Sequence, residues 1–156
     1  MVGSGQGSIV REGQGKRFDF PFGNRGEVKG DVAAGLSFGF FRSTLPPGAG
    51  MPFLHLHRSM DEAFYIAGGE VEYRLGDRYE TGGAGAGVLI PAGVPHCFRA
   101  VGDVAATVVV MTGDPRGVDM IVELAAAGQG DPARFATILA KYDSELLETR
   151  PHWTAS

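Results

Sequence analysis

Short apolar runs broken by glycine and proline fill the first two-thirds of the chain. Within them side-chain character changes with a period near two, the period of a strand rather than a helix. Residues 36–44 predict one strand, closed by Pro46-Pro47-Gly48. Residues 51–57 predict a second, with Met51, Phe53, His55 and His57 sharing one face. From Glu62 onward two strands are joined by Gly68-Gly69, and another turn falls near Gly76-Asp77. A short strand over 88–90, a Pro91-x-Gly93 turn, a strand through His96 and a β-branched run over 104–112 follow. The first 17 or so residues are Gly-rich and polar and predict a flexible or edge segment. So many short strands separated by regular turns predict a sandwich or barrel.

The pattern changes after residue 113. Residues 119–128 and 131–148 carry helical composition, and Asp131-Pro132 supplies a cap and a first-turn proline. Phe135, Ile138, Leu139, Tyr142 and Leu146 predict one apolar helical stripe. The expectation is a single domain over 1–156, with a barrel core near 18–113 and a helical segment near 117–148.

Composition narrows the class. The 25 glycines and 9 prolines are spread between apolar runs, as many tight turns require. A net charge of −4 disfavours a phosphate-binding basic face, so no nucleic-acid partner is expected. No apolar run approaches the roughly 20 residues of a membrane span. Cys97 stands alone and cannot form an internal disulfide; strand alternation points it outward into sheet packing or an interface, as an inert buried thiol rather than a nucleophile. With no secretory pattern at the start, cytoplasmic is the default expectation.

The chemistry concentrates in "HLHRSMDE", residues 55–62. His55 and His57 lie two apart on a predicted strand, so both imidazoles can converge on one ion. Glu62 follows after a gap long enough for a turn to bring the next strand alongside. His96 sits beyond Pro91-x-Gly93. His152 is assigned no role. Phe38, Phe40, Phe53, Phe64, Phe98 and Met111 are read as barrel core, and Phe40, Phe53, Phe64, Phe98 and Met51 could also line a pocket. Arg42 shares parity with Phe38 and Phe40; it points inward to a substrate anion or forms a rim salt bridge.

These residues carry a resemblance. "GMPFLHLHRSMDEAFYIAGG" resembles the first cupin motif, and "GAGVLIPAGVPHCF" resembles the second. Here four residues separate Gly50 from His55, one fewer than usual, and Ala100 stands where the second motif often ends in Asn. The resemblance covers about 35–112, and the C-terminal helices are similar to those of small quercetin dioxygenase-like cupins. It implies an all-β, double-stranded β-helix jelly-roll barrel with short C-terminal α-helices. It also implies metal ligands at His55, His57, Glu62 and His96, with Glu62 as catalytic base. The cofactor would be one divalent transition metal per chain (Fe, Mn, Ni, Co, Cu or Zn), since imidazole binds all of them. The implied activity is a dioxygenase on an enolic or phenolic small molecule. A metal-dependent cyclase, isomerase or dehydratase of specialised metabolism, or a non-catalytic small-molecule-binding protein, are the alternatives. A homodimer is expected, through an edge involving residues 36–44 and Leu56.

Overall fold

Two antiparallel sheets face each other in the computed structural model, which describes residues 6–127 and 131–153. The strands are β1 (Arg17–Asp19), β2 (Arg25–Gly30), β3 (Gly39–Leu45), β4 (Gly50–His57), β5 (Glu62–Gly68), β6 (Glu70–Leu75), β7 (Arg78–Gly83), β8 (Gly87–Ile90), β9 (His96–Val101), β10 (Ala106–Thr112) and β11 (Ser144–Glu148). One sheet has the order β1-β2-β3-β10-β5-β8 and the other β11-β4-β9-β6-β7. Consecutive strands therefore often lie in opposite sheets, the arrangement of a jelly-roll barrel. Helices α1 (Arg116–Ala126) and α2 (Pro132–Lys141) stand between β10 and β11. No described helix is long and apolar enough to cross a membrane.

The core is the space between the sheets. Leu45, Ile66, Val71, Val108 and Val110 are fully buried there. β-branched residues at every second position of β10 explain its central place, because Val108 and Val110 pack inward while Val109 and Met111 face outward.

The strand over 36–44 is displaced and its facing is the reverse of the expectation. β3 runs Gly39–Leu45, with Phe41, Ser43 and Leu45 buried. Phe40 and Arg42 belong to the outer face, where Arg42 lies 3.5 Å from Glu12. Phenylalanines at 38, 40 and 41 put apolar residues on both parities, so alternation alone could not choose a face. Phe38 and Met111, read as core, are 40% and 41% exposed.

The tail also differs. α2 begins as predicted: the Asp131 carboxylate caps it by accepting from Arg134 N, with a proline in its first turn. It stops at Lys141, and residues 144–148 form a strand instead of a last helical turn. Asp143 turns the chain with φ 52°, a left-handed conformation that Asp tolerates better than most residues. Leu146 then pairs with His55 in the sheet rather than extending the helical stripe. The expected dimer edges are also occupied. β3 lies between β2 and β10, and β4 lies between β11 and β9, with Leu56 paired to Glu145.

Candidate metal centre

Three strands and one turn build the site. His55 and His57 lie on β4, His96 opens β9 directly opposite His55, and Glu62 opens β5 in the other sheet. The cluster thus bridges the two sheets from the inside. Two short tethers hold its pieces in place. Gly93 N donates to His57 O at 2.6 Å, fixing the turn before His96 against the end of β4. Gly93 has φ 86°, which explains glycine at that point. Asp61, beside Glu62, accepts from Ala92 N at 2.8 Å through its side chain and from Gly113 N at 2.8 Å through its carbonyl. Asp61 is therefore a turn-setting residue that ties the start of β5 to the start of β9.

All four side chains are sequestered: His55, His57 and His96 are 6%, 2% and 1% exposed. Their hydrogen bonds decide which ring nitrogen faces the centre. His55 Nδ1 lies 2.9 Å from Phe53 O, and His96 Nδ1 lies 2.9 Å from Val94 O. A carbonyl only accepts, so both Nδ1 atoms carry hydrogen. His57 Nδ1 lies 2.7 Å from Ser144 Oγ, whose own hydroxyl donates to Tyr142 O at 3.1 Å. Ser144 therefore accepts from His57 Nδ1–H. In each neutral ring the Nε2 lone pair is then directed into the cluster.

The centre is crowded with acceptors. Glu62 Oε2 lies 2.9 Å from His96 Nε2 and 3.2 Å from His57 Nε2. The second contact lacks hydrogen-bond alignment, leaving buried His57 Nε2 without a hydrogen-bond partner. Burial opposes the charge on Glu62, and only protons on His57 and His96, or a cation in their place, outweigh it and hold the carboxyl well below its usual range. Burial pushes His55 well below the usual imidazole range, and the neighbouring His96 and His57 push it the same way. Three nitrogen lone pairs and a carboxylate in one dry space repel one another unless a cation lies among them.

The donor set fits such a cation. One ligand atom from each of His55, His57, Glu62 and His96 lies within 4.8 Å of the others. Atoms on opposite sides of an ion with bonds of about 2.1 Å would be about 4.2 Å apart, so only small adjustments separate this geometry from ligation. The four residues singled out in the sequence are thus brought together and could hold a divalent ion.

The cluster opens onto an interior cavity of about 40 Å³. Met51, Phe64 and Phe98 line it, as expected, and Phe64 and Phe98 meet edge to face at 5.1 Å. Phe53 does not line it. A register shift between Met51 and His55 interrupts the alternation, and the Phe53 ring packs with Phe22 and Phe135. Phe40 and Arg42 do not line it either, for the facing reason given above. Residues not anticipated take their places: Phe41 and Ser43 from β3, Asn24 from the turn before β2, and Met120, Ile121 and Leu124 from α1, which lies across the cavity. Ser144 was also missed. A helical reading of its segment hid it, and only the Asp143-Ser144 pair hinted at a break. Cys97 is fully buried, and burial pushes its thiol up to about 12, which makes it inert.

Comparison with known proteins agrees with this geometry. The cupin domain family matches residues 41–112. No curated protein matches the chain. Among solved structures, KdgF from a Halomonas species is 18% identical, with a TM-score of 0.62 over 74% of this chain and 99% of that one. A cupin sugar phosphate isomerase from Silicibacter pomeroyi is 22% identical, with a TM-score of 0.60 over 67% and 74%. The polyketide cyclase RemF from Streptomyces resistomycificus is 21% identical, with a TM-score of 0.59 over 69% and 79%. Likeness at these identities establishes a shared fold and leaves activity open. With both motifs inside the matched segment and the strands in jelly-roll order, residues 41–112 form a cupin domain.

Proposed function

We propose that this cupin is a metal-dependent dioxygenase acting on an enolic or phenolic small molecule. One observation carries the reading. Three imidazole nitrogens and a carboxylate converge on a cavity whose other described lining is mainly aromatic and aliphatic, with no Lys or Arg. Such walls favour a flat apolar body. They offer a phosphate no counter-charge apart from the metal, which weighs against a sugar phosphate substrate.

A bound divalent ion would supply Lewis acidity toward an enolate oxygen and, if redox-active, a means of engaging dioxygen. The chain's own part is proton handling and exclusion of water. Glu62, the one carboxylate among the described residues lining the cavity, takes the hydroxyl proton of the substrate as general base. His55, His57 and His96, each fixed through Nδ1, hold their orientation while that proton moves. Both atoms of dioxygen end in the product, so no external reductant is required. The closed cavity has room for little more than solvent, so substrate entry requires Met120, Ile121 and Leu124 to withdraw.

The Glu62–His96 contact of 2.9 Å also supports a second reading. A carboxylate–imidazole pair beside a Lewis acid could run a cyclisation, isomerisation or dehydration without dioxygen. Protein reconstituted separately with Fe, Mn, Ni, Co, Cu and Zn would be assayed by oxygen electrode against flavonols and smaller enolones. Stoichiometric oxygen uptake that Glu62→Gln abolishes supports the dioxygenase. Product without oxygen uptake transfers the site to the second reading. Binding without turnover leaves a ligand-binding protein.

A further inference from the structure

A buried acceptor in the cavity remains unexplained by the metal centre. Asn24 precedes β2 in a tight turn, where Phe20 N donates to Asn24 O at 2.7 Å and Gly23 N donates to Phe20 O at 3.0 Å. The turn folds the side chain inward, and the residue is 3% exposed. Asn24 Nδ2 donates to Gly50 O. Because a carbonyl can only accept, this bond fixes the amide with its oxygen as the remaining group. Oδ1 is buried and has no hydrogen-bond partner among the described residues. Asn24 lines the same cavity as His55, His57 and Glu62. Among the described residues, the only other non-ionisable polar side chain lining that cavity is Ser43, whose hydroxyl donates to Arg25 O at 3.3 Å.

We propose that Asn24 Oδ1 is a substrate-recognition subsite that accepts a hydrogen bond from a hydroxyl or N–H group of the ligand. The inference rests on the enol or phenol reading above and deepens it. The ligand class becomes an apolar body carrying a metal-binding enol oxygen and, away from it, a second hydrogen-bond donor. Once a ligand displaces solvent from the cavity, an acceptor left without a partner is costly, so it discriminates by what satisfies it. A hydroxyl does so, a hydrogen leaves the acceptor unpaired, and a methyl ether brings a second acceptor against it. A site of this kind separates donor-bearing ligands from their analogues far more sharply than an apolar wall does.

The test uses the full chain loaded with zinc, which reads binding without oxygen chemistry. The probes are 3-hydroxyflavone and its derivatives with one additional hydroxyl at each ring position, each with its methyl ether. Chelation is followed by the absorbance shift of the flavonol. The expected result is one hydroxyl position binding at least tenfold tighter than both the parent and the ether. That preference should fall to within twofold in Asn24→Ala and survive in Ser43→Ala. The probe series in the unaltered protein reads the preference even if Asn24→Ala folds poorly, and a melting curve checks the variant.

No preference at any position, or a preference that folded Asn24→Ala retains, would overturn the subsite while leaving the metal centre standing. Failure of every probe to bind would overturn the assigned ligand class. A donor preference that Asn24→Ala removes, together with no oxygen uptake on the redox metals, would uphold the subsite and remove the dioxygenase reading.

Discussion

At the residue scale, Ser144 shows how a side chain that touches no ion can set one. It accepts from His57 Nδ1 at 2.7 Å and is 1% exposed, so solvent cannot replace it. Ser144→Ala would leave His57 free to change tautomer. We expect a loss of about 10- to 100-fold in metal affinity, the usual range for such partners. Competitive metal titration reads this, and nitrogen NMR of His57 should show the Nδ1–H form weakening. Ser144→Thr keeps the oxygen and should restore most of the affinity. Unchanged affinity in Ser144→Ala would remove this role. Glu27 offers a separate check far from the site. Hydrogen bonds from Gly15 N and from Lys29, then from Gly13 N, draw its carboxyl from 4.5 down to about 2. A depressed folded-state value means its stabilising contribution is complete above about 4.5 and lost as pH falls from there through about 2. Carbonyl NMR should place the Glu27 midpoint near that lower value, and a midpoint near 4.5 would contradict the contacts.

At the scale of elements, α1 rests on the sheet through small residues. A Cβ on Gly117 would lie 2.6 Å from Thr112 Oγ1 and 2.7 Å from Thr112 Cβ. Gly117→Ala tests which of two effects wins. Alanine raises helix propensity by about 1 kcal/mol, but overpacking against a β-branched side chain costs about 1–3 kcal/mol. The expected net is destabilisation of about 1–2 kcal/mol in denaturant unfolding, and a gain in stability would show that α1 is not seated as described. The same scale explains what the sequence disclosed. β4, β5, β8, β9 and β10 were legible because apolar alternation and glycine turns agree there. β1 and β2 were not, since "RFD" is very short and "RGEVKG" mixes glycine with both charges. β11 was hidden because "SELLE" suits a helix by composition, and only pairing with β4 makes it a strand. The metal-ligand spacing was readable for a local reason: His-x-His depends on strand period alone. Asn24, Ser144 and the α1 side chains come from distant segments, and nothing in their own neighbourhoods marks where they meet.

At the scale of the molecule, the barrel brings both sheets to one buried, acceptor-rich point and closes α1 across it. The homodimer suggested by the cupin resemblance stays a proposal, and strand addition at β3 or β4 is closed to it because both strands are paired on each edge. Solution scattering should give twice the 16.4 kDa chain mass, and a monodisperse monomer would refute it. The central claim is that His55, His57, Glu62 and His96 hold one divalent ion. Elemental mass spectrometry of purified protein, alongside folded His57→Ala, tests it most directly. The account predicts about one transition-metal ion per chain, as purified or after reconstitution, and its loss in the variant. Unaltered protein that takes up none, or a folded variant that binds as well, would contradict it.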